Sequence, residues 1–136
     1  MIVGTEWLIE AFDCEAKILR ETVALKKVFS QIVADLGLKI VGEPHWHKFG
    51  GEGGVTGLVM LTESHLACHT YPEYRTATFN LYCCRTRPEW NWKANLIKML
   101  NAEEVKITKI KRGNANTSNP KSKIQNPKSK VVGGEV

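Results

Sequence analysis

Between residues 61 and 84 the chain reads LTESHLACHTYPEYRTATFNLYCC, bringing a carboxylate, a hydroxyl, two imidazoles and adjacent thiols into one stretch. Ser64 directly follows Glu63, His65 and His69 come next, and Cys83 and Cys84 close the run. A serine can attack the carbonyl that precedes it and turn the amide into an ester, given strain, oxyanion donors and a base at the same bond. A thiol near its titration range can give and retake a proton at neutral pH. Taken singly, a strand-end serine, a turn histidine or a strand cysteine is ordinarily structural. The histidines His45, His47, His65 and His69, with the cysteines, also admit a zinc reading, but no CxxC or HExxH spacing accompanies them and no metal is expected.

The elements that must position these groups are short. Val55–Leu61 and residues 76–82 are apolar runs that read as strands able to pair as a hairpin around the motif. The Thr-Tyr-Pro step after His69 marks a turn. Upstream, Gly4–Phe12 reads as a first strand. Residues 21–36 repeat apolar side chains at helical spacing, with Leu25, Val28, Phe29, Ile32 and Leu36 on one stripe and Gly37 ending it. Residues 38–46 read as a strand whose Pro44 marks an edge. The loop GGEGG at 50–54 lacks a following Lys-Ser/Thr step, which disfavours a phosphate cradle. Residues 88–100 read as a second helix and 105–110 as a fifth, solvent-facing strand. The order β-α-β-β-β-α-β predicts an α+β fold: a two-layer sandwich of a mainly antiparallel sheet with two helices on one face.

At 136 residues the chain is long enough for one hydrophobic core. Its formal charge is +5, yet residues 1–110 hold thirteen basic and thirteen acidic groups, so the excess lies beyond them. NPKSK occurs twice there, at 119–123 and 126–130. We therefore divide the chain into a domain at 1–111 and a basic tail at 112–136, predicted to be disordered for want of apolar residues to bury. A charge confined to an appendage makes nucleic acid an unexpected partner for the domain. Four cysteines without a secretory signal fit a reducing cytoplasm, and no apolar run approaches a membrane span.

HKF at 47–49, GVTG at 54–57, ESHL at 63–66, HTYPEY at 69–74 and the thiol of Cys84 together resemble the prokaryotic S-adenosylmethionine decarboxylases, over roughly residues 3–110. The resemblance implies autocatalytic cleavage between Glu63 and Ser64, giving chains 1–63 and 64–136. Ser64 would become a pyruvoyl cofactor that forms a Schiff base with the substrate and acts as electron sink. It further implies His69 as the proton acceptor in processing, Thr56 as the assisting hydroxyl and Cys84 as the proton donor to the substrate. Phe49 matches a position of the adenine pocket. Glu73, a nearby carboxylate, and His65, beside the cleaved bond, are further substrate-binding candidates. The family works as a dimer with active sites near the subunit interface and makes the aminopropyl donor for spermidine. Asn80 stands where relatives often carry an acid, and Arg75, Arg85 and Arg87 add unusual positive charge. Those departures leave ornithine or arginine as the alternative substrate, and a non-processing binding homologue as the alternative to an enzyme.

Overall fold

A computed structural model describes residues 1–113. Six strands, β1 (Gly4–Phe12), β2 (Ile40–Lys48), β3 (Val55–Leu61), β4 (Ser64–Tyr71), β5 (Thr76–Cys83) and β6 (Glu104–Arg112), form one sheet in the order β2-β3-β4-β5-β1-β6. Every neighbouring pair is antiparallel. A one-turn helix α1 (Ala16–Leu19), which the pattern did not predict, precedes the two expected helices, α2 (Thr22–Leu36) and α3 (Trp92–Leu100), which complete the α+β sandwich.

The core lies between helices and sheet. α2 contributes Leu25, Val28, Phe29, Ile32 and Leu36, and α3 contributes Trp92, Leu96 and Leu100. The strands answer with alternate residues such as Ile9, Val59, Leu66, Phe79 and Leu81. α2 ends at Gly37 in the left-handed conformation, as its position predicts. α3 starts at Trp92 rather than at residue 88, because the Asn91 side chain caps it by accepting the Ala94 N–H at 3.0 Å. The segment before it is held separately: Trp90 is buried and donates its indole N–H to Asp35 at 2.8 Å.

One strand corrects the expected topology. β3 and β5 do not pair with each other; residues 64–71 form β4 between them and pair with both. Few residues of SHLACHTY favour a strand, but partners on both sides override weak propensity, and the buried positions Leu66, Cys68 and Thr70 alternate as a strand requires. β2 is an edge, and its register shifts between Val41 and His45, the stretch containing Pro44. β6, the other edge, runs to Arg112, so Lys111 and Arg112 belong to the sheet. The NPKSK repeats lie outside the described residues. On the face opposite the helices, Leu8, Leu58 and Met60 are exposed, and no element among the described residues covers them.

Candidate active site

β3 and β4 are joined by Thr62 and Glu63 alone, with Leu61 opposite Ser64. Two-residue hairpin turns favour left-handed backbone, yet neither Thr62 nor Glu63 has positive φ. The turn is held from outside instead. Thr62 donates its N–H to the Lys39 carbonyl at 2.9 Å. Arg87 forks onto the Glu63 carboxylate, Nε donating to Oε1 at 3.1 Å and Nη2 donating to Oε2, while its Nη1 donates to the Leu36 carbonyl at 3.1 Å. Arg85 Nε lies 4.0 Å from the same carboxylate. Hydrogen bonding from Arg87, foremost, holds the Glu63 carboxyl below the usual carboxylate range.

The backbone around this bond is equally specific. The Glu63 carbonyl accepts a hydrogen bond from the Cys84 N–H at 3.1 Å. Ser64 stands opposite Leu61 on one side and Cys83 on the other, both buried, which turns its side chain toward the helices. Its Oγ is buried and makes no hydrogen bond of ordinary geometry, though it lies close enough to the Cys83 thiol to favour the thiolate. A buried polar group left unpaired costs about 1–3 kcal/mol, so its presence marks a position kept for some other reason. Burial pushes the Cys83 thiol up, with the neighbouring Ser64 hydroxyl pulling it back. Burial likewise raises Cys14 to about 11 and Cys68 to about 12. Cys84 is the exposed thiol of the four.

His65 lies on the open face at the same end. Its Nε2 is 2.9 Å from Asn80 Oδ1, and Asn80 Nδ2 donates to Glu6 Oε2 at 2.6 Å. Glu6 Oε1 accepts from Arg112 at 2.7 Å. A carboxylate only accepts, so the Asn80 nitrogen faces Glu6, its oxygen faces His65, and His65 carries a proton on Nε2. In the neutral ring Nδ1 is then the free acceptor. The Asn80 amide first, then Arg112, holds the Glu6 carboxyl below its ordinary range. A carboxylate thus stands behind Asn80, contributed by Glu6 of β1, which sequence reading did not single out.

The remaining candidates gather at the other end of the strands. Thr56 and His69 face each other across β3 and β4, with Oγ1 and Nδ1 3.2 Å apart. His47 is the next residue across, opposite Thr56 on β2, and the half-exposed Phe49 ring meets it edge-on at 4.6 Å. Glu73 is exposed on the 3-10 turn Pro72–Tyr74 that follows β4. His69 is five residues beyond Ser64, roughly 17 Å along an extended strand. The candidates therefore form two groups: Glu63, Ser64, His65 and Cys84 at one end; Phe49, Thr56, His69 and Glu73 at the other.

Two sequence signals prove to be architectural. Lys48 Nζ donates to the carbonyls of Phe49, Gly51 and Gly53, the last at 2.9 Å, so the glycine loop gathers around a cation rather than an anion. In GVTG, a Cβ at Gly57 would stand 2.3 Å from the Trp46 ring and one at Gly54 2.1 Å from the Thr70 carbonyl. Among the described residues no three His, Cys, Asp or Glu side chains cluster as metal ligands, and no helix is long and apolar enough to cross a membrane.

A family model described as S-adenosylmethionine decarboxylase matches residues 5–113. The chain belongs to that family. The S-adenosylmethionine decarboxylase proenzyme of Caldanaerobacter subterraneus subsp. tengcongensis is 32% identical over 112 residues, which cover 82% of this chain and 89% of the relative. The proenzyme of Clostridium tetani is 34% identical over 115 residues, covering 82% and 87%. The crystal structure of the adenosylmethionine decarboxylase from Aquifex aeolicus superposes with a TM-score of 0.71 over 85% of this chain and 95% of that one; at 24% identity it supports the fold. As an S-adenosylmethionine decarboxylase family member the chain is an enzyme of the carboxy-lyase class, and the resemblance carried by its motifs is borne out.

Proposed function

We propose that the chain is a precursor that cuts itself between Glu63 and Ser64 and then decarboxylates S-adenosylmethionine in the cytoplasm, making the aminopropyl donor for spermidine. The observation that carries this reading is the bond itself: a buried, unpartnered hydroxyl follows a carbonyl that already accepts the Cys84 N–H. The relatives' description as proenzymes agrees with it.

Ser64 Oγ attacks the Glu63 carbonyl carbon, and the Cys84 N–H holds the charge that develops on its oxygen. The C–N bond breaks, the amine takes the hydroxyl proton, and an ester remains. Removal of the Ser64 α-proton breaks the Cβ–Oγ bond, expels the acyl group as the new C-terminal α-carboxylate of Glu63 and leaves dehydroalanine. Hydrolysis then releases ammonia and leaves a pyruvoyl group at residue 64.

The base for the α-proton has a direction. We place the base on the open face of the sheet, the side away from the Ser64 side chain and the helices. Thr56 and His69 face that side but stand at the far end of the same copy, roughly 17 Å away. Two copies packed by their open faces, with the strands opposed, would exchange ends. Thr56 and His69 of the partner subunit would then serve Ser64, in a homodimer with composite sites. Leu8, Leu58 and Met60 offer the apolar surface for that contact.

The pyruvoyl group, once formed, supplies the electron sink for the bond that releases carbon dioxide. Exposed Cys84 delivers a proton to the substrate's α-carbon. His65 orients a polar substrate group through its free Nδ1. Phe49 of the partner subunit stacks on the adenine, its face favouring the neighbouring sulfonium, and Glu73 of the partner subunit adds a carboxylate for the cation.

Intact mass under denaturing conditions tests the reading. Wild type should give two chains divided at Glu63–Ser64, the second beginning with a ketone, and Ser64→Ala one inactive chain. Normal carbon dioxide release by Ser64→Ala would overturn it.

A further inference from the structure

Resting on self-cleavage at Glu63–Ser64, we propose that Arg87 is the positioning residue for that cleavage, fixing Glu63 so that its carbonyl stays between the Cys84 N–H and the Ser64 hydroxyl. One short segment grips Glu63 twice. Cys84 holds the backbone carbonyl, and Arg87, three residues on, holds the side-chain carboxylate with two donors. The third donor goes to Leu36, one of the last carbonyls of α2 and without a partner inside the helix. Arg87 thereby ties the β3–β4 turn to a helix end whose side chain is in the core.

This anchorage matters because the turn has no conformational preference of its own to rely on. Its residues lack the positive φ that two-residue hairpins favour, so its shape depends on what holds it. Arg87 and Glu63 side chains are only 20% and 15% exposed, which limits the screening of their contact. A planar guanidinium can serve two carboxylate oxygens and a third acceptor at once; a lysine at this place would supply a point charge. In the acyl shift the Oγ–C bond forms as the C–N bond breaks, and the proton passes from hydroxyl to amine. Arg87 exchanges no proton in it. Its contribution is orientation, and misplacing reacting atoms by an ångström can cost on the order of a hundredfold in rate.

The test follows conversion of the full-length chain into two chains after cell-free synthesis. Arg87→Met should slow conversion by on the order of tenfold or more, and Arg87→Lys should recover part of the loss. Glu63→Ala should slow it too, and the double variant Glu63→Ala/Arg87→Met should be no slower than the worse single variant, because each removes the same contact. Multiplied slowdowns in the double variant would show a diffuse structural role and overturn the proposal. Wild-type conversion with an equally fast, folded Arg87→Met chain, judged by its circular dichroism, would overturn this proposal alone. A wild-type chain that never converts would instead overturn the self-cleavage reading beneath it. If Arg87→Met does not fold, Arg87→Lys and Glu63→Ala decide, and wild-type rates in both would sink the idea.

Discussion

Cys84 lends its backbone to one step of the proposed chemistry and its side chain to another. The N–H on the Glu63 carbonyl survives any side-chain substitution, whereas the exposed thiol does not. Cys84→Ala should therefore still yield two chains by mass, while productive decarboxylation falls on the order of a hundredfold. Cys83→Ala should keep turnover, since burial disfavours the thiolate there; unchanged carbon dioxide release by Cys84→Ala would give the donor role to another group. Ser64, His69 and Cys84 were legible as candidates because their identities and spacing occur together in a motif. Glu6 and Arg87 were not. Their partners Asn80 and Glu63 lie 74 and 24 residues away, and an acid or a base alone on a strand or loop reads as a solvated charge. The departure at Asn80 was visible as a substitution, but the carboxylate behind it required the β1–β5 pairing.

Among the elements, α2, α3 and every strand but β4 were readable from the sequence pattern; the one-turn α1 and the strand carrying the candidate chemistry were not. β4 begins at Ser64, after a turn without Gly, Asn or Asp-Gly chemistry, so neither end announces itself. Its existence is imposed by hydrogen-bonding partners on both sides. The glycines of GVTG carry structural information at this scale. Trp46 lies over Gly57 and is held there by Phe29, ring centroids 4.7 Å apart, so it has little room to withdraw. Gly57→Ala should cost about 1–3 kcal/mol by overpacking. In an uncleavable Ser64→Ala background this should appear as a fall of several degrees in Tm, on the order of 4–8 °C per kcal/mol for a domain this size. An unchanged Tm would mean that the Trp46 ring is not fixed.

For the molecule as a whole, neutrality of residues 1–110 and a single core were plain from composition, but the division of the site into two distant groups was not. It follows from strand length, which separates Ser64 from His69 by most of β4. Self-processing across a dimer makes a specific prediction. Ser64→Ala and His69→Ala chains should each remain whole when made alone. Made together, the His69→Ala chain should be cut, because its Ser64 meets an intact histidine on the other subunit. Absence of any cut chain in the mixture would place the base within the same protomer.

The proposed cut in the β3–β4 turn would also divide the sheet in an uneven way. One fragment keeps β1, β2 and β3, the other β4, β5 and β6, yet the order β2-β3-β4-β5-β1-β6 threads β1 between two strands of the other fragment. The fragments are woven, joined along three seams: β3 to β4, β5 to β1 and β1 to β6. A matured molecule cannot shed either piece without opening its centre, so no covalent link is needed to keep the halves together. Once opened, though, it must reassemble from two separate chains, a bimolecular event that dilution defeats. The precursor alone could find this weave as a single chain, which would make the proposed maturation a ratchet: after it, the lifetime of the enzyme would be governed by how slowly the weave comes apart.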